Sequence, residues 1–396
     1  MRVKTSYLLF YISFGLVYAG VLFEKTAISF ASGLKNVCYI LAIAAILAKF
    51  IYESGVKYTA SKKMKEWIVL FVLAAVLLLI IKTKDIYLIL VFLLGFMARD
   101  FDDIEMNNVI KVSFCMCGIF LICIPLLSVL HIIPNLNTMR GIGESSRYAY
   151  GFNHSQVFPM IFAYIVFMIY ANGRRVRFRD FLIVQIMTFL IYYCFDSRNA
   201  LLTTELFYLV HFFFSFIRKF KNNGLIYKIG RLFIYMSAAS SFVLLVLFMK
   251  GNQLAIDIDY VLSHRFREPA WYFVNGYRDY FKFRSYNEYY ALQQAVNKGV
   301  DNTFFYIVIR YGIPALLFFC LFYNSLFRFC KRQKNILMCE VLSVVAISII
   351  LTNSLTSYFF PFMVIASREV WQIVHGHTVG KLNVYMRECS RRETLT

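Results

Sequence analysis

The sequence predicts an all-α, polytopic integral membrane protein, a single transmembrane domain over residues 1–396. Three observations lead there. The chain is 60% hydrophobic and only 16% charged, whereas soluble domains carry about 25% charged residues; its mean hydropathy is +0.62. About twelve apolar runs, each able to cover a bilayer with some allowance at its ends, follow one another along it. Finally, 42 Lys and Arg stand against 22 Asp and Glu, a net charge of +20. In a soluble chain that excess would suggest nucleic acid. Here the basic residues gather in short loops between apolar runs, where they act as topology signals, and no nucleic-acid partner is expected.

The runs lie near 7–23, 30–51, 67–81, 86–98, 109–133, 153–171, 180–195, 200–217, 231–249, 301–323, 336–351 and 358–374. Alternate loops are basic: Lys57, Lys62, Lys63 and Lys65, then Arg174, Arg175, Arg177 and Arg179. Arg218, Lys219, Lys221, Lys228 and Arg231 follow, then Arg328, Lys331, Arg332 and Lys334. That alternation places both termini and the basic loops in the cytoplasm. The loop Arg99 to Lys111 departs from it with Asp100, Asp102, Asp103 and Glu105, but acidic residues carry little weight in this rule. The first run has no cleavage pattern after it and reads as a retained span. The nine cysteines show neither zinc nor disulfide spacing; Cys115 and Cys117, two apart on a helix, point to different faces. The tail with Arg387, Arg391 and Arg392 reads as a cytoplasmic anchor.

One stretch, Lys250 to Gly312, leaves the apolar pattern for about fifty residues before re-entering it at Asp301-Asn302-Thr303-Phe304. It predicts a large extracytoplasmic loop, 250–300, between the ninth and tenth spans. Spans build a scaffold, and the chemistry of a membrane protein sits where the scaffold is interrupted. This stretch holds His264, Arg265, Arg267, Arg278 and Asp301. Arg265 and Arg267 above a cavity would clamp a diphosphate, or else line a solvated face. Trp271, Tyr272 and Tyr277 would float a helix at the membrane interface more readily than stack on sugar rings. Asp301 opens the tenth run, where helix capping alone would account for a carboxylate. Arg310 lies deeper and requires an acid or a ligand.

Two other outward places carry reactive groups. Pro134 to Phe152 forms the other substantial loop, with Arg140 and Arg147 able to fork onto an anionic oxygen. His154 follows where a helix begins, near the positive end of its dipole, which suits a neutral imidazole; Asn153 offers a helix cap. The tight corner Asp196-Ser197-Arg198-Asn199 sets Arg198 at the membrane surface. Glu205, two turns on, shares its face and is the best-placed acid for Arg310.

These residues together resemble the O-antigen ligase and Wzy-type polysaccharide polymerase superfamily of bacterial envelopes. The likeness covers roughly Ile133 to Gly312. Gly151-Phe152-Asn153-His154-Ser155-Gln156 is similar to that family's glycine-phenylalanine-x-histidine-proline-asparagine approach to its sixth span, with Ser155-Gln156 replacing the last two residues. Asp196-Ser197-Arg198 resembles its serine-arginine before the eighth span. Arg140 to Gly151 and Arg265 to Gly276 share an arginine-to-glycine spacing. Asp301-Asn302, with Gly312 after nine residues, resembles the ligases' histidine-asparagine pattern, and aspartate in the histidine's place resembles many polymerases.

The resemblance implies a multi-pass plasma-membrane glycosyltransferase that polymerises undecaprenyl-diphosphate-linked oligosaccharide repeats into a surface polysaccharide at the outer face. Asp301, Arg198, Arg265 and His154 would be catalytic; Arg267, Arg140, Arg147, Arg310, Asn302 and His264 would bind substrate. No metal or cofactor is implied, and the partners implied besides substrate and membrane lipid are a chain-length regulator and a flippase. The alternatives are a ligase that transfers finished glycan, a lipid-linked glycan or ion transporter, and a transferase using lipid monophosphate sugars. A transporter would require charges along a through-path and matched broken helices, whereas here the charges gather at one side. The last would carry an acidic motif in the first outward loop, where Glu24 stands alone beside Lys25.

Overall fold

A computed structural model describes residues 2–54, 86–138, 147–219, 223–262, 264–274, 281–296, 300–351 and 359–374. The chain is all-α, about 80% helical. Its helices are α1 (Arg2–Phe23), α2 (Ala31–Ser54), α3 (Ile86–Met97), α4 (Asp103–Val129), α5 (Val157–Ala171), α6 (Phe178–Phe195), α7 (Arg198–Lys219) and α8 (Asn223–Met249). Three short helices follow, α9 (Gln253–Val261), α10 (Arg267–Val274) and α11 (Tyr286–Val296). The last four are α12 (Thr303–Tyr311), α13 (Ile313–Gln333), α14 (Ile336–Ser348) and α15 (Phe360–Val374). Two short antiparallel strands, β1 (Asn137–Thr138) and β2 (Arg147–Tyr148), precede α5.

Among the described residues seven helices, α1, α2, α4, α6, α7, α8 and α13, are long and apolar enough to cross a membrane; α3, α5 and α14 are shorter apolar helices. The run 67–81 lies outside the described residues. A helix that is apolar on every side belongs inside a bundle, and α14 is the example. Val341, Leu342, Val344, Val345 and Ala346 are all fully buried, packed among α5, α7, α8 and α13. α15 closes the bundle against α3, where the backbones meet at Gly95. A Cβ there would overlap the Ser367 side chain and lie 2.8 Å from the Arg368 amide nitrogen.

Contacts between helix ends sort them onto two faces. On one face, Lys49 at the end of α2 donates to the Met97 carbonyl at the end of α3 (2.6 Å), and Tyr11 in α1 donates to the Glu105 carbonyl in α4 (2.8 Å). Arg332 at the end of α13 pairs with Asp103 (3.0 Å) and Glu369 (2.5 Å), and Arg368 with both as well. The acidic loop after α3, which the charge alternation leaves unexplained, therefore neutralises two arginines from elsewhere in the chain. On the same face, Arg218 and His211 of α7 grip Glu340, which is wholly buried in α14. On the opposite face lie the α1–α2 turn, the strands, the α6–α7 corner and the three short helices.

The run 301–323 is not one span. Gly312, at φ +84°, ends α12 and starts α13. A left-handed glycine with Pro314 just beyond breaks the helix, because proline cannot donate back across the junction. α14 and α13 leave the same turn, yet 13 and 21 residues span about 20 and 31 Å. The far end of α14 therefore stops about 10 Å short of the far end of α13. The Thr303 amide donates to the Ile349 carbonyl there (3.0 Å), so α12 starts at that depth. Asn302 agrees: its Nδ2 meets Ser241 Oγ (3.4 Å), eight residues or about 12 Å before the end of α8. α12 is thus a half-helix whose N-terminus is sunk below the rim of the bundle.

The α3–α15 contact yields a stability test. Gly95→Ala overpacks a site without room and should cost about 1–3 kcal/mol. Gly118→Ala, where nothing lies within 4 Å of the added carbon, should not destabilise. A lower melting temperature of Gly95→Ala than of Gly118→Ala in detergent checks this; equal values refute it.

Candidate functional site

The site is built on the second face from three segments. The first is the approach to α5. Gly151 adopts φ +81°, and a Cβ there would press on the Ile124 carbonyl at 2.9 Å and on Ser128, so only glycine fits. Its carbonyl accepts from the Ala27 amide (2.8 Å), and the Asn153 amide donates to the Lys25 carbonyl (2.9 Å). Asn153 Nδ2 donates to the Glu24 carbonyl (3.0 Å). Asn153 is therefore a clasp to the α1–α2 turn rather than a helix cap; α5 starts later, at Val157, with Gln156 before it. This lacing fixes His154, whose Nδ1 accepts from the Gln156 amide (3.1 Å) and which keeps part of its surface open to solvent. Its pKa is pushed down by desolvation first, then by the charges of Arg147 and Arg265.

The second segment is the α6–α7 corner. Asp196 sits in left-handed conformation at the end of α6, the aspartate and asparagine conformation that tight corners use. Its Oδ2 accepts from Arg147 Nη2 at 2.6 Å. Arg147, in β2, is buried, and Tyr150 seats its ring on Phe195 with centroids 5.2 Å apart. Arg198, the first residue of α7, is exposed and makes no hydrogen bond or ion pair among the described residues. Below it, Ser197 Oγ, Asn199 Nδ2 and Thr203 Oγ1 are buried without a hydrogen-bond partner. Buried polar atoms are paired in the great majority of cases, so this is an unusually unsatisfied stripe of α7.

The third segment is the turn between α9 and α10, organised by Asp259. This buried carboxylate accepts from the Phe266 amide at Oδ1 (2.7 Å) and contacts His264 Nδ1 at Oδ2 (3.3 Å). Its carbonyl also accepts from the His264 amide (2.7 Å). The turn places His264 at the surface at φ +64° and drives Arg265 inward. Arg265 is buried and ion-paired with Asp301. Burial opposes its charge, against which Glu268 and Asp259 act. Arg267, starting α10, is exposed.

Two expectations, on Arg310 and Tyr272, require correction here, and one alternative for Asp301 falls away. Asp301 is not the helix cap: Asn302 caps α12, its Oδ1 accepting from the Phe304 (3.0 Å) and Phe305 (3.4 Å) amides. Asn302 is wholly buried in that role, which leaves Asp301 free to meet Arg265. Arg310 is not paired with Glu205. Its guanidinium lies among the rings of Tyr289, Tyr306 and Tyr311, 5.1, 5.5 and 5.2 Å from their centroids, and bonds the Tyr306 hydroxyl. A weakly hydrated planar cation is stabilised by ring faces as well as by a carboxylate. Tyr272 is not an interfacial anchor; it is fully buried in a core with Leu245, Phe266 and Phe305. Arg140, Gly276 and Arg278 lie outside the described residues.

Asp259 and Arg284 were missed from sequence. Arg284 is buried and donates to the Ile309 carbonyl (2.5 Å), while its amide donates to the Arg310 carbonyl (3.1 Å). It thus satisfies the open carbonyls that end α12. The signal for Asp259 was an acid five residues before a His-Arg-Phe-Arg string, with Asp257 two residues earlier in sequence; nothing in the sequence marked Arg284. Among the described residues no three His, Cys, Asp or Glu gather as a metal site.

The arrangement brings together His154, the buried Arg147 and Arg265, and their paired carboxylates Asp196 and Asp301. It can bind a multiply charged anion and offers a carboxylate and a neutral imidazole as proton acceptors. No protein-family model, curated protein or solved structure matches the chain.

The charge environment of His154 is open to titration. Removing a nearby positive charge makes protonation easier, so Arg147→Gln and Arg265→Gln should each raise the imidazole pKa, and the double variant most. Histidine-selective NMR measures it; an unmoved His154 resonance in both variants would separate the residue from the arginines.

Proposed function

We propose that this chain is a bacterial plasma-membrane glycosyltransferase that polymerises lipid-diphosphate-linked oligosaccharide repeats into a surface polysaccharide. What supports the reading above all is the pair of buried arginines, Arg147 and Arg265, both acting on His154 beside the half-helix that carries Asp301. Charges inside an apolar bundle are costly and mark substrate sites. Guanidinium forks match the geometry of phosphate oxygens.

In this reading the bundle crosses the membrane twelve times, its termini and basic loops lie in the cytoplasm, and the three short helices form the extracytoplasmic loop. The lipid diphosphate sits at the outer leaflet, held by Arg265 and Arg147, with the exposed Arg198, Arg267 and His264 along the approach. The acceptor sugar hydroxyl attacks the anomeric carbon; the bond from that carbon to the diphosphate oxygen breaks, and lipid diphosphate leaves with its negative charge stabilised by the guanidinium groups. The acceptor proton passes to Asp301, with His154 as the second candidate. Asn302 and Arg310 act by holding α12 rather than by touching substrate.

Orientation is tested with cysteines. One at position 285 should react with an impermeant thiol reagent in intact cells, and one at 331 should not. Labelling at 331 would invert the molecule and remove the site from the outer face.

Activity is tested with purified protein and a lipid-diphosphate-linked repeat. Lysine cannot fork onto two oxygens, so Arg147→Lys and Arg265→Lys should each lose about 10²–10³ in turnover, as for loss of a preorganised donor. Wild-type rates from both would end the clamp assignment. A deletion strain separates the alternatives: single lipid-linked repeats without polymer identify a polymerase, free polymer a ligase, and repeats trapped inside a flippase.

A further inference from the structure

Two groups of ion pairs in this bundle differ in exposure. At one face Glu340 is 0% and Glu369 1% exposed, each gripped by two cationic side chains, while Asp103, at 28%, shares Arg332 and Arg368 with Glu369. At the site the two arginine pairs are arranged the other way round. The arginines are sealed, Arg147 at 6% and Arg265 at 8%, while their carboxylates are open to solvent, Asp196 at 38% and Asp301 at 57%. Of the pairs at the first face, Arg368–Glu369 hides both charges, and the partly exposed Arg218 and Arg332 face carboxylates that a second cation already holds. A fixed cation with an exposed carboxylate across its front has another property: the carboxylate can leave into water, and another anion can take its place.

The scaffold favours such an exchange. Arg265 is anchored through the Asp259-bonded turn, and Glu268 and Asp259 both favour its charge from within the protein. It does not depend on Asp301 alone for neutralisation. Asp301, by contrast, stands one residue outside the cap, with Asn302 bonding the helix in its stead. Its departure costs α12 no cap. Asp196 stands at the corner between α6 and α7 with 38% of its side chain exposed.

We propose that Asp301 and Asp196 are exchangeable occupants of an anion site, which a diphosphate displaces from Arg265 and Arg147. The displacement has a consequence for the transfer step, and here the inference rests on the function proposed above. Diphosphate on Arg265 releases the Asp301 carboxylate from its charge-assisted bonds at the moment that a donor is in place. A base engaged in the empty site thereby becomes available only in the loaded one, and water gains little from it between turnovers. The acceptor hydroxyl proton goes to that freed carboxylate as the glycosidic bond forms.

The distinguishing property is competition. If Asp301 occupies the site that the ligand needs, removing its charge strengthens ground-state binding while weakening turnover. The probe is geranylgeranyl diphosphate, titrated onto the purified full chain in detergent, with inorganic diphosphate and geranylgeranyl monophosphate for comparison. Asp301→Asn should bind it about two- to fivefold more tightly, the range that a partly exposed ion pair is worth, while its turnover with a lipid-linked repeat falls. Asp196→Asn should also bind more tightly, and Arg265→Gln should lose binding. Tighter binding of inorganic diphosphate as well assigns the gain to the anion, and tighter binding of the isoprenoid ligand alone to the lipid-borne form; either supports the exchange. Unchanged or weaker binding by both aspartate variants, with the wild type binding normally, overturns the inference and leaves the functional reading standing. A wild type that binds none of the three probes overturns both. Thermal unfolding of each variant shows whether it is folded, and a folded Asp196→Asn protein keeps the test decisive if Asp301→Asn is not.

Discussion

The geometry of the candidate site depends on one bonding choice at the start of α12. Two adjacent residues, Asp301 and Asn302, could each satisfy the open amides of that helix. Asn302 does so, with its Oδ1 on Phe304 and Phe305 and its Nδ2 on Ser241. The neutral side chain goes into the protein, where a carboxylate would need desolvation. The charged one stays at the water side, where it meets Arg265. Everything else in the third segment follows from giving that arginine a fixed place: the Asp259 turn behind it, the Phe266–Phe305 packing beneath it (centroids 6.0 Å apart), and the sunken start of α12.

The half-helix also determines the depth of the site. Had 301–323 been one continuous span, Asp301 would stand at the rim of the bundle. Gly312 and the shortness of α14 move it about 10 Å inward, to the level of the buried Arg265. The cost of the break is a set of open carbonyls at the end of α12. Arg284 meets that cost from a neighbouring segment, and Arg310, caged by tyrosines, braces the same turn.

Much of the class of the molecule was legible in the sequence, because lipid imposes a single strong rule: backbone groups must be satisfied within the segment, so long apolar runs become helices. The helices at 31–54, 103–129 and 223–249 follow that rule, although the last two start six and eight residues before the apolar runs at 109–133 and 231–249. The partners of the charges were much less legible. Glycine at 312 was noted for its spacing, but its φ is a property of the chain in three dimensions. Arg310 was assigned an acid because a buried cation so often takes one; three tyrosines from two helices, 289 on one and 306 and 311 on or ending another, served instead, and no periodicity announces such a cage. Asn153 looked like a cap because it precedes an apolar run. Its real partners, Glu24 and Lys25, are more than a hundred residues away. Local pattern identifies which residues are unusual. It does not say which distant segment answers them.

The contrast between the two faces of the bundle sharpens this point. Arg332 and Arg368 with Asp103 and Glu369, or Arg218 and His211 with Glu340, use the same residue types as the site. A census of intramembrane charges would rank them equally. What separates them is that Glu340 and Glu369 are sealed between two cations, and that Asp103, at 28% exposed, shares both its arginines with the sealed Glu369. A sealed carboxylate between two cations is already fully bonded, and removing its partners leaves a stranded charge, so such a cluster locks helices together. A sealed guanidinium behind an exposed carboxylate keeps an access route to the cation. Only the second kind can change its anion without unfolding its surroundings. The asymmetry of exposure, rather than the presence of charge, is therefore what distinguishes Arg147 and Arg265 from the arginines that hold Glu340 and Glu369.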